Sequence, residues 1–175
     1  LRRCGEAVEL GATQVMLQGG HHPEFGVEYY ETLFGAVKRE YPQLAIHSIG
    51  PSEIAHMAKV SGTGIEEAVK RIKAAGLDSI AGAGAEMLPA RPRTALAPLK
   101  ESGERWLEIM ETAHRLGLES TATMMMGTGE TASERIEHLS MIRDVQDRTG
   151  GFRSFIPWTY QPENNHLKGR TQATV

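Results

Sequence analysis

The chain has 175 residues, of which 40% are hydrophobic and 23% charged, and its formal net charge is −3. This composition is typical of a single globular domain with a sizeable core, and it lacks the basic stripe that would favour nucleic acid as a partner. The sequence shows neither a signal-peptide pattern nor the apolar run of about 18 residues that a membrane span needs. Cys4 is the only cysteine, which excludes an internal disulfide framework and predicts a cytoplasmic location.

Short strand-like runs recur along the chain, and their starts are 31 to 41 residues apart. A strand with its following helix and loops takes roughly 30 residues or more, so the spacing predicts five consecutive βα units. The predicted strands are Thr13–Gly20, Leu44–Gly50, Asp78–Ala85, Glu119–Gly127 and Phe152–Tyr160.

Helical patterns fill the gaps between these strands. Apolar residues with helical spacing predict three amphipathic faces. The faces consist of Ile65, Ala68, Val69 and Ile72; of Trp106, Leu107, Met110 and Ala113; and of Ile136, Leu139 and Ile142.

The expected helix ends carry their own signals. Thr63–Glu66 and Thr131–Glu134 match the capping-box pattern at a helix start. Four glycines follow a helical pattern and precede a strand, and they are candidates for the left-handed residue that ends a helix. They are Gly11, Gly76, Gly117 and Gly150.

The strands are nearly continuous runs of apolar or small residues, which is typical of parallel sheets covered on both faces. Five units in series favour right-handed crossovers, and hence either a barrel or a doubly wound sheet. The absence of GxGxxG and GxxxxGK[ST] motifs weakens the doubly wound alternative. Because an eight-unit barrel needs about 200–250 residues, we predict an α/β fold that forms a partial (β/α) barrel.

Both ends of the sequence suggest a fragment. The chain starts at Leu1 inside a helical pattern, without an initiator Met, and it ends at Thr174-Val175 in a polar stretch. We expect residues 1–175 to be the central part of one barrel domain, truncated at both ends. Thr13–Gly20 and Phe152–Tyr160 would then be open sheet edges, which invite aggregation.

Polar residues and glycines gather where the predicted strands end, which is where barrels of this type carry their chemistry. These loops are Gln18–Pro23, His47–Pro51, Gly82–Glu86 with Arg91 and Arg93, Met124–Glu130 and Ile156–Glu163.

Structural explanations compete with functional ones in these loops. Gly19-Gly20 is compatible with a tight turn, Met124–Met126 with core packing and His47 with a hydrogen-bonded core histidine. Glu130 fits a first-turn carboxylate, whereas Glu86 ends a strand of small residues, where a carboxylate without a partner is costly.

A mononuclear metal site that uses His21, His22 and His47 is a further alternative, and it would make the protein a metal-dependent hydrolase. Adjacent histidines in a strand point to opposite faces, and the sequence has no HxH or HExxH pattern. Both observations count against this alternative.

Five blocks together resemble the radical S-adenosylmethionine (SAM) enzymes of the futalosine route to menaquinone. The blocks are QGGHHP, HSIGPSEI, AGLDSIAGAGAEML, TATMMMGTGET and FIPWTYQPEN, and they span essentially the whole chain in order. The QGG-x-HP and GAE elements are shared with aminofutalosine synthase and with the two components of FO synthase. The segment Ile156–Trp158 resembles the cyclase branch more closely.

This resemblance implies a radical SAM type of barrel and an oxidoreductase that acts on a small molecule. In enzymes of this family a [4Fe–4S] cluster gives one electron to the sulfonium of SAM, the C–S bond breaks, and a 5′-deoxyadenosyl radical forms. That radical takes a ribosyl hydrogen from dehypoxanthine futalosine, and the substrate radical then adds to the aromatic ring and is oxidised to a cyclic spiro product. The electron would come from a reductant such as flavodoxin or ferredoxin.

The resemblance also implies cofactor contacts in three of the loops. The glycine block meets the methionyl amino group, a strand-end carboxylate meets the ribose hydroxyls, one of two arginines pairs with the methionyl carboxylate, and the methionine block lies near the adenine. In that order the residues are Gln18, Gly19 and Gly20; Glu86; Arg91 or Arg93; and Met124 to Gly127.

The resemblance implies that residues of the first, second and fifth loops contact the substrate. It implies no catalytic side chain, since the cluster and SAM supply the chemistry. The candidate substrate contacts are His21, His47, Ser48, Trp158 and Tyr160.

The sequence departs from the family in one respect, because the CxxxCxxC loop that holds the cluster is absent. Cys4 lies 14 residues before Gln18, in a helical pattern, and one thiol cannot replace three. We therefore expect the cluster cysteines upstream of Leu1, an active full-length parent and an inactive isolated fragment. A non-catalytic ligand-binding fragment or pseudoenzyme is the alternative from another class.

Overall fold

The computed structural model describes residues 1–163, so the Thr174-Val175 end and Asn164 of the last sequence block lie outside the described residues. Five strands form one sheet in the order β1-β2-β3-β4-β5, and each pair of neighbours is parallel. This arrangement confirms the five predicted parallel strands with helices between them and is consistent with a partial (β/α) barrel. The strands are β1 (Gln14–Leu17), β2 (Ala45–Ser48), β3 (Ser79–Ile80), β4 (Glu119–Met126) and β5 (Phe152–Thr159).

Helices connect the strands, with two helices after β2 and two after β3. In the part of the chain that the structure describes, no helix is both long and apolar enough to cross a bilayer. The helices are α1 (Arg2–Glu9), α2 (Val27–Glu40), α3 (Pro51–Val60), α4 (Ile65–Ala74), α5 (Ala90–Leu96), α6 (Gly103–Arg115) and α7 (Ala132–Thr149).

The helix-end predictions are confirmed except for one. Thr131 caps α7 with its side chain and exchanges hydrogen bonds with Glu134, as a capping box does. Thr63 does not cap α4, because that helix starts at Ile65 with Gly64 as its N-cap residue. All four glycines predicted to end helices have positive φ: Gly11 at 86°, Gly76 at 114°, Gly117 at 76° and Gly150 at 64°.

The core lies between the sheet and the helices. The apolar faces of α4 and α6 pack into this core, as predicted, with Ile65 and Leu107 partly buried and their other members buried. Ile46 and Ile80 of the strands belong to the same core. The predicted face of α7 is wrong in part, because Ile136 and Leu139 are exposed. The buried residues of α7 are His138, Ile142 and Val145, of which Ile142 was predicted. The ring of His138 accepts a hydrogen bond from the amide of Leu88.

Some strands are shorter than predicted at their carboxyl ends, β3 most of all. Gly82 lies beyond β3, where its N–H donates to Thr121 Oγ1 over 2.8 Å and its carbonyl accepts from Thr123 Oγ1 over 2.8 Å. At this point, hydrogen bonds to side-chain hydroxyls of β4 therefore replace backbone hydrogen bonds between the two strands. A Cβ on Gly82 would lie 2.4 Å from the carbonyl oxygen of Thr121, so this close approach requires glycine.

Candidate functional site

The carboxyl ends of the five parallel strands meet at one edge of the sheet, and the predicted loops leave the sheet there. Two cavities open at this edge. One, of about 380 Å³, lies beside β1 between the glycine loop and α2. The other, of about 220 Å³, is lined by three successive loops and includes Gln18, His21, Glu53, Gly84 and Lys100. Loops that are distant in sequence thus share one concave surface.

A buried carboxylate joins the first two loops. Glu53 accepts hydrogen bonds on Oε1 from the amides of Gly19, at 2.9 Å, and Gly20, at 3.1 Å. Its Oε2 accepts from the amide of Gly50 over 2.9 Å. Glu53 is only 8% exposed. Burial of Tyr30, and then the charge of Glu53, raise the pKa of Tyr30 to about 12. The glycine loop therefore directs its amides towards a negative charge.

Sequence reasoning did not identify Glu53 as a site residue. A signal was present, because Glu53 is the third residue of α3 and follows the N-cap residue Gly50 by three positions. In a capping box this glutamate reaches back to the N-cap amide. The capping-box pattern requires Ser or Thr at the N-cap, and it does not match here because glycine occupies that position.

Two residues with strained backbones lie in the loops after β2 and β3. Ile49 has φ 42° and Glu86 has φ 38°, values that residues with a Cβ rarely adopt. Such outliers cluster at functional sites, where the surrounding structure holds them in place. Both residues follow strand ends at the edge where the cavities open, which strengthens the assignment of this edge as the site.

Only one of the two carboxylate oxygens of Glu86 has a hydrogen-bond partner within the described residues. Its Oε1 accepts from Lys100 Nζ over 2.7 Å, whereas Oε2 is buried without a hydrogen-bond partner in the described structure. The Glu86 carbonyl also accepts from the amide of Met125, which fixes this residue against β4. An unpaired buried carboxylate oxygen suits the hydroxyl group of a ligand.

The structure separates the two candidate arginines. Arg91 lies on the exposed side of α5, where it is paired with Glu134 and donates to the carbonyl of Gly129. Arg93 is buried and donates to the carbonyls of Gly84, at 3.0 Å, and Ala85, at 2.8 Å. Burial lowers the pKa of Arg93. Both guanidinium groups already hold protein partners, and the buried Arg93 Nη2 has no hydrogen-bond partner among residues 1–163.

A second carboxylate anchors the loop after β4. Glu130 accepts from the amides of Gly127 and Thr128 and is paired with Arg135 at 2.7 Å. Burial acts to raise the pKa of Glu130, but these hydrogen bonds outweigh it and lower that pKa to about 2. Met124 is buried at this end of β4, and Gly127 has φ 88°. Glu130 thus fixes the loop shape, a larger role than a favourable interaction with the helix dipole.

His47 is held in one tautomer. Its Nδ1 is 2.7 Å from Ser79 Oγ and 3.3 Å from Arg153 Nη2. Because a guanidinium can only donate, Nδ1 accepts and the ring proton of the neutral imidazole sits on Nε2. Burial, and then the charge of Arg153, lower the pKa of His47. The structural alternative, a hydrogen-bonded core histidine, describes these contacts.

The other candidate substrate contacts occupy different environments. Ser48 is fully buried and donates to the carbonyl of Leu17, so it ties β2 to β1. Tyr160 is buried, and its amide donates to the carbonyl of Met126. Trp158 is exposed on β5, and His21 is exposed and stacks on His56 with 4.8 Å between ring centroids. Only His21 and Ser48 line the two cavities described above.

The metal-hydrolase alternative gains no support from these placements. His21 stacks on His56, His22 stacks on Phe25, and His47 is bonded to Ser79 inside the sheet. Within residues 1–163, no three His, Cys, Asp or Glu side chains are grouped to hold a metal ion. Cys4 is a buried residue of α1, as its helical pattern predicts.

Comparison with known proteins agrees with this architecture. A sequence model described as the Radical SAM superfamily matches residues 1–142. The chain is 75% identical, over its whole length, to cyclic dehypoxanthine futalosine synthase of Streptomyces coelicolor. It is 38% identical over 95% of its length to the protein of the same name from Halalkalibacterium halodurans.

A relative with a different name has about the same identity to this chain as the Halalkalibacterium halodurans protein. The chain is 41% identical, over 94% of its length, to 5-amino-6-(D-ribitylamino)uracil--L-tyrosine 4-hydroxyphenyl transferase 2 of Methanosarcina mazei. The chain spans 43% to 45% of the length of these three relatives. Because the superfamily match covers well over half of the sequence, the chain belongs to the Radical SAM superfamily.

Proposed function

We propose that this chain is part of a radical SAM oxidoreductase that converts dehypoxanthine futalosine to cyclic dehypoxanthine futalosine on the futalosine route to menaquinone. The carrying observation is the 75% identity, over the whole chain, to a cyclic dehypoxanthine futalosine synthase. An identity near 40% does not separate the futalosine cyclase from the 4-hydroxyphenyl transferase, because relatives with each of these names occur at that level. The much higher value favours the cyclase.

The site at the carboxyl edge of the sheet fits SAM. Glu53 occupies the amides of Gly19 and Gly20, so the carbonyls of this loop are the backbone groups left for the methionyl ammonium. Oε2 of Glu86 and Nη2 of Arg93 are buried without a partner in the described part of the chain; the first suits a ribose hydroxyl and the second the methionyl carboxylate. Arg91 is the weaker candidate for that carboxylate, because Glu134 already neutralises it.

The adenine and the substrate would lie over the later strands. The loop at Met124–Gly127, held by Glu130, supplies an apolar wall of the kind that an adenine ring packs against. Trp158 lies on β5 and Tyr160 directly follows that strand, and the Nε2–H of His47 is a donor with a fixed direction inside the sheet. We place the substrate along these residues, with His21 and Ser48 at the β1 side.

The cluster does not fit this chain. Three thiolates are needed to hold a [4Fe–4S] cluster with one iron open to SAM, and the sequence has only Cys4, buried in α1. We propose that the ligands belong to a part of the protein outside these 175 residues. When bound, the cluster and SAM supply the radical that activates the substrate, and a flavodoxin or ferredoxin in the cytoplasm supplies the electron.

A second candidate is a 4-hydroxyphenyl transferase of the FO synthase type, because relatives that carry this activity in their name are 41% identical. Aminofutalosine synthase remains the alternative within the futalosine route. These alternatives share the predicted cofactor site and differ in substrate, so the substrate contacts decide among them. A non-catalytic parent is the alternative from another class, and it would lack the cysteine triplet.

The test uses the full-length parent protein, purified and reconstituted with iron and sulfide under anaerobic conditions. Incubation with SAM, a reductant and dehypoxanthine futalosine should give the cyclic product and 5′-deoxyadenosine, detected by mass spectrometry. The same preparation should be inactive with an enolpyruvyl benzoate, and with tyrosine plus 5-amino-6-(D-ribitylamino)uracil. An intact cluster with turnover of either of those substrates, and none of dehypoxanthine futalosine, would refute the cyclase assignment.

A further inference from the structure

Glu53 lies between the first two of the three loops that line the 220 Å³ cavity, and it also lines that cavity. One carboxylate oxygen takes both amides of the glycine loop and the other takes the amide of Gly50. Hydrogen bonds from amides to a carboxylate are charge-assisted and are roughly twice as strong as neutral ones. The conformation of the glycine loop therefore depends on this one side chain from α3.

The arrangement also sets the electrostatic preference of the cavity. Successive glycine amides commonly bind phosphate or other anions, but here a resident carboxylate occupies them. Lys100 is the cation that lines the same cavity, and Glu86 neutralises it at 2.7 Å. The local field next to the glycine loop thus favours a positively charged ligand group over an anionic one.

We infer that Glu53 is a positioning residue for the ammonium group of an α-amino-acid ligand, through the glycine loop that it holds in place. The inference rests on the proposed function in one respect, because the ligand it names is the methionyl end of SAM. Glu53 itself does not contact the ligand. It orients the Gly19 and Gly20 peptide groups, and it adds a negative charge close to where the ammonium binds.

The experiment compares two nucleosides that differ in the amino-acid part. S-adenosylhomocysteine carries the ammonium and carboxylate, whereas 5′-methylthioadenosine lacks both. Dissociation constants for each are measured by titration calorimetry on the reconstituted full-length protein and on its Glu53→Gln variant. We expect the variant to bind S-adenosylhomocysteine about tenfold more weakly, because the loop is less well held and the negative charge near the ammonium is lost, with a change below about twofold for 5′-methylthioadenosine.

Two further variants keep the test decisive. Glu111→Gln is the matched control, since Glu111 is a carboxylate held by Arg115 and Arg148 between α6 and α7, and it should change neither constant. Glu53→Asp retains the charge but shortens the side chain, so it should shift the ratio of the two constants in the same direction by a smaller factor. If Glu53→Gln does not fold, the ratio of the two constants in Glu53→Asp tests the inference instead.

The outcomes separate the inference from the proposed function. Equal weakening of both nucleosides, or no weakening of either, would overturn the role of Glu53 even if the wild-type protein makes the cyclic product. Selective weakening of S-adenosylhomocysteine supports that role even if dehypoxanthine futalosine is not turned over.

Discussion

Strands β4 and β5 are both eight residues long and pair along most of that length, yet they have opposite environments. β4 is rich in hydroxyl residues and is buried from Ser120 to Met124, whereas β5 carries Phe155, Ile156 and Trp158 and is largely exposed. In the register, Thr123, at 3% exposure, lies beside Ile156, at 42%. The more polar strand is thus the inner one.

The comparison shows that burial in this sheet follows the position of a strand and not its hydropathy. The hydroxyls of β4 are tolerated inside because they bond to Gly82 and to His114. The apolar side chains of β5 are exposed because β5 is an edge of the described sheet, as β1 is. A face of this kind is typical of a surface that another element covers.

Acid should destabilise the buried side of the sheet most strongly. Burial lowers the pKa of both His114 and His138 from 6.5 to about 4. Below pH 6.5 the unfolded chain takes up protons that the folded chain excludes, so the free energy of unfolding falls until about pH 4. The expected loss between pH 7 and pH 5 is about 2 kcal/mol for each histidine.

Urea unfolding at pH 7 and at pH 5, followed by circular dichroism, measures this loss. His56→Gln is the control, because His56 lies on the surface side of α3 and stacks on the exposed His21. It should leave the difference between the two pH values unchanged. A stability that stays constant or rises on acidification would contradict the buried, neutral state of the two histidines.

Gly82→Ala should produce the next largest effect, because the new Cβ would lie 2.4 Å from a backbone carbonyl oxygen of β4. Since backbone cannot move aside as a flexible side chain can, we expect a loss of about 3 kcal/mol of stability or no soluble protein. Gly35→Ala is the control, because nothing lies within 4 Å of a Cβ at that position in α2. It should be neutral or slightly stabilising, and equal melting temperatures for both variants would refute the close approach of β3 and β4.

A reciprocal pair of substitutions tests the comparison at one register position. Thr123→Val makes the buried strand more apolar but leaves the carbonyl of Gly82 without its hydroxyl donor, so we expect a loss of about 1–3 kcal/mol. Denaturant unfolding of the variant measures this loss. A gain in stability would mean that hydropathy, and not hydrogen bonding, determines what β4 tolerates.

Ile156→Thr is the reciprocal change on β5 and should have the smallest effect. Because the side chain is 42% exposed, we expect stability to change by less than about 0.5 kcal/mol, while the solubility of the 175-residue chain increases. Light scattering against concentration checks the second expectation. A loss of stability as large as that of Thr123→Val would show that β5 is packed and not an open edge.

Much of the fold was predictable because it depends on local signals. The spacing of the strand-like runs predicted five βα units, and the glycines predicted four helix ends, since only glycine adopts positive φ without cost. The error at Ile136 and Leu139 arose because α7 is only weakly amphipathic. Its buried face is set by the contact between His138 and Leu88, 50 positions apart in the chain.

The candidate site was predictable as a set of loops but not as a set of contacts. Parallel strands bring their carboxyl ends to one edge, so the strand-end residues could be grouped from the sequence alone. The partner of each charged side chain could not be identified this way. Glu53 was overlooked, and Arg91 and Arg93 could not be separated, because burial and pairing depend on how α3 and α5 lie against the loops.

The sequence by itself determined the order of the βα units, the helix ends and the superfamily, because these follow from periodicity, backbone preference and motifs of a few adjacent residues. Only the tertiary structure decided which ionised groups hold the loops and which remain available to a ligand. The physical reason is that a buried charge must find its partner across the fold. Here, residues as far apart as Gly19 and Glu53 determine each other's role.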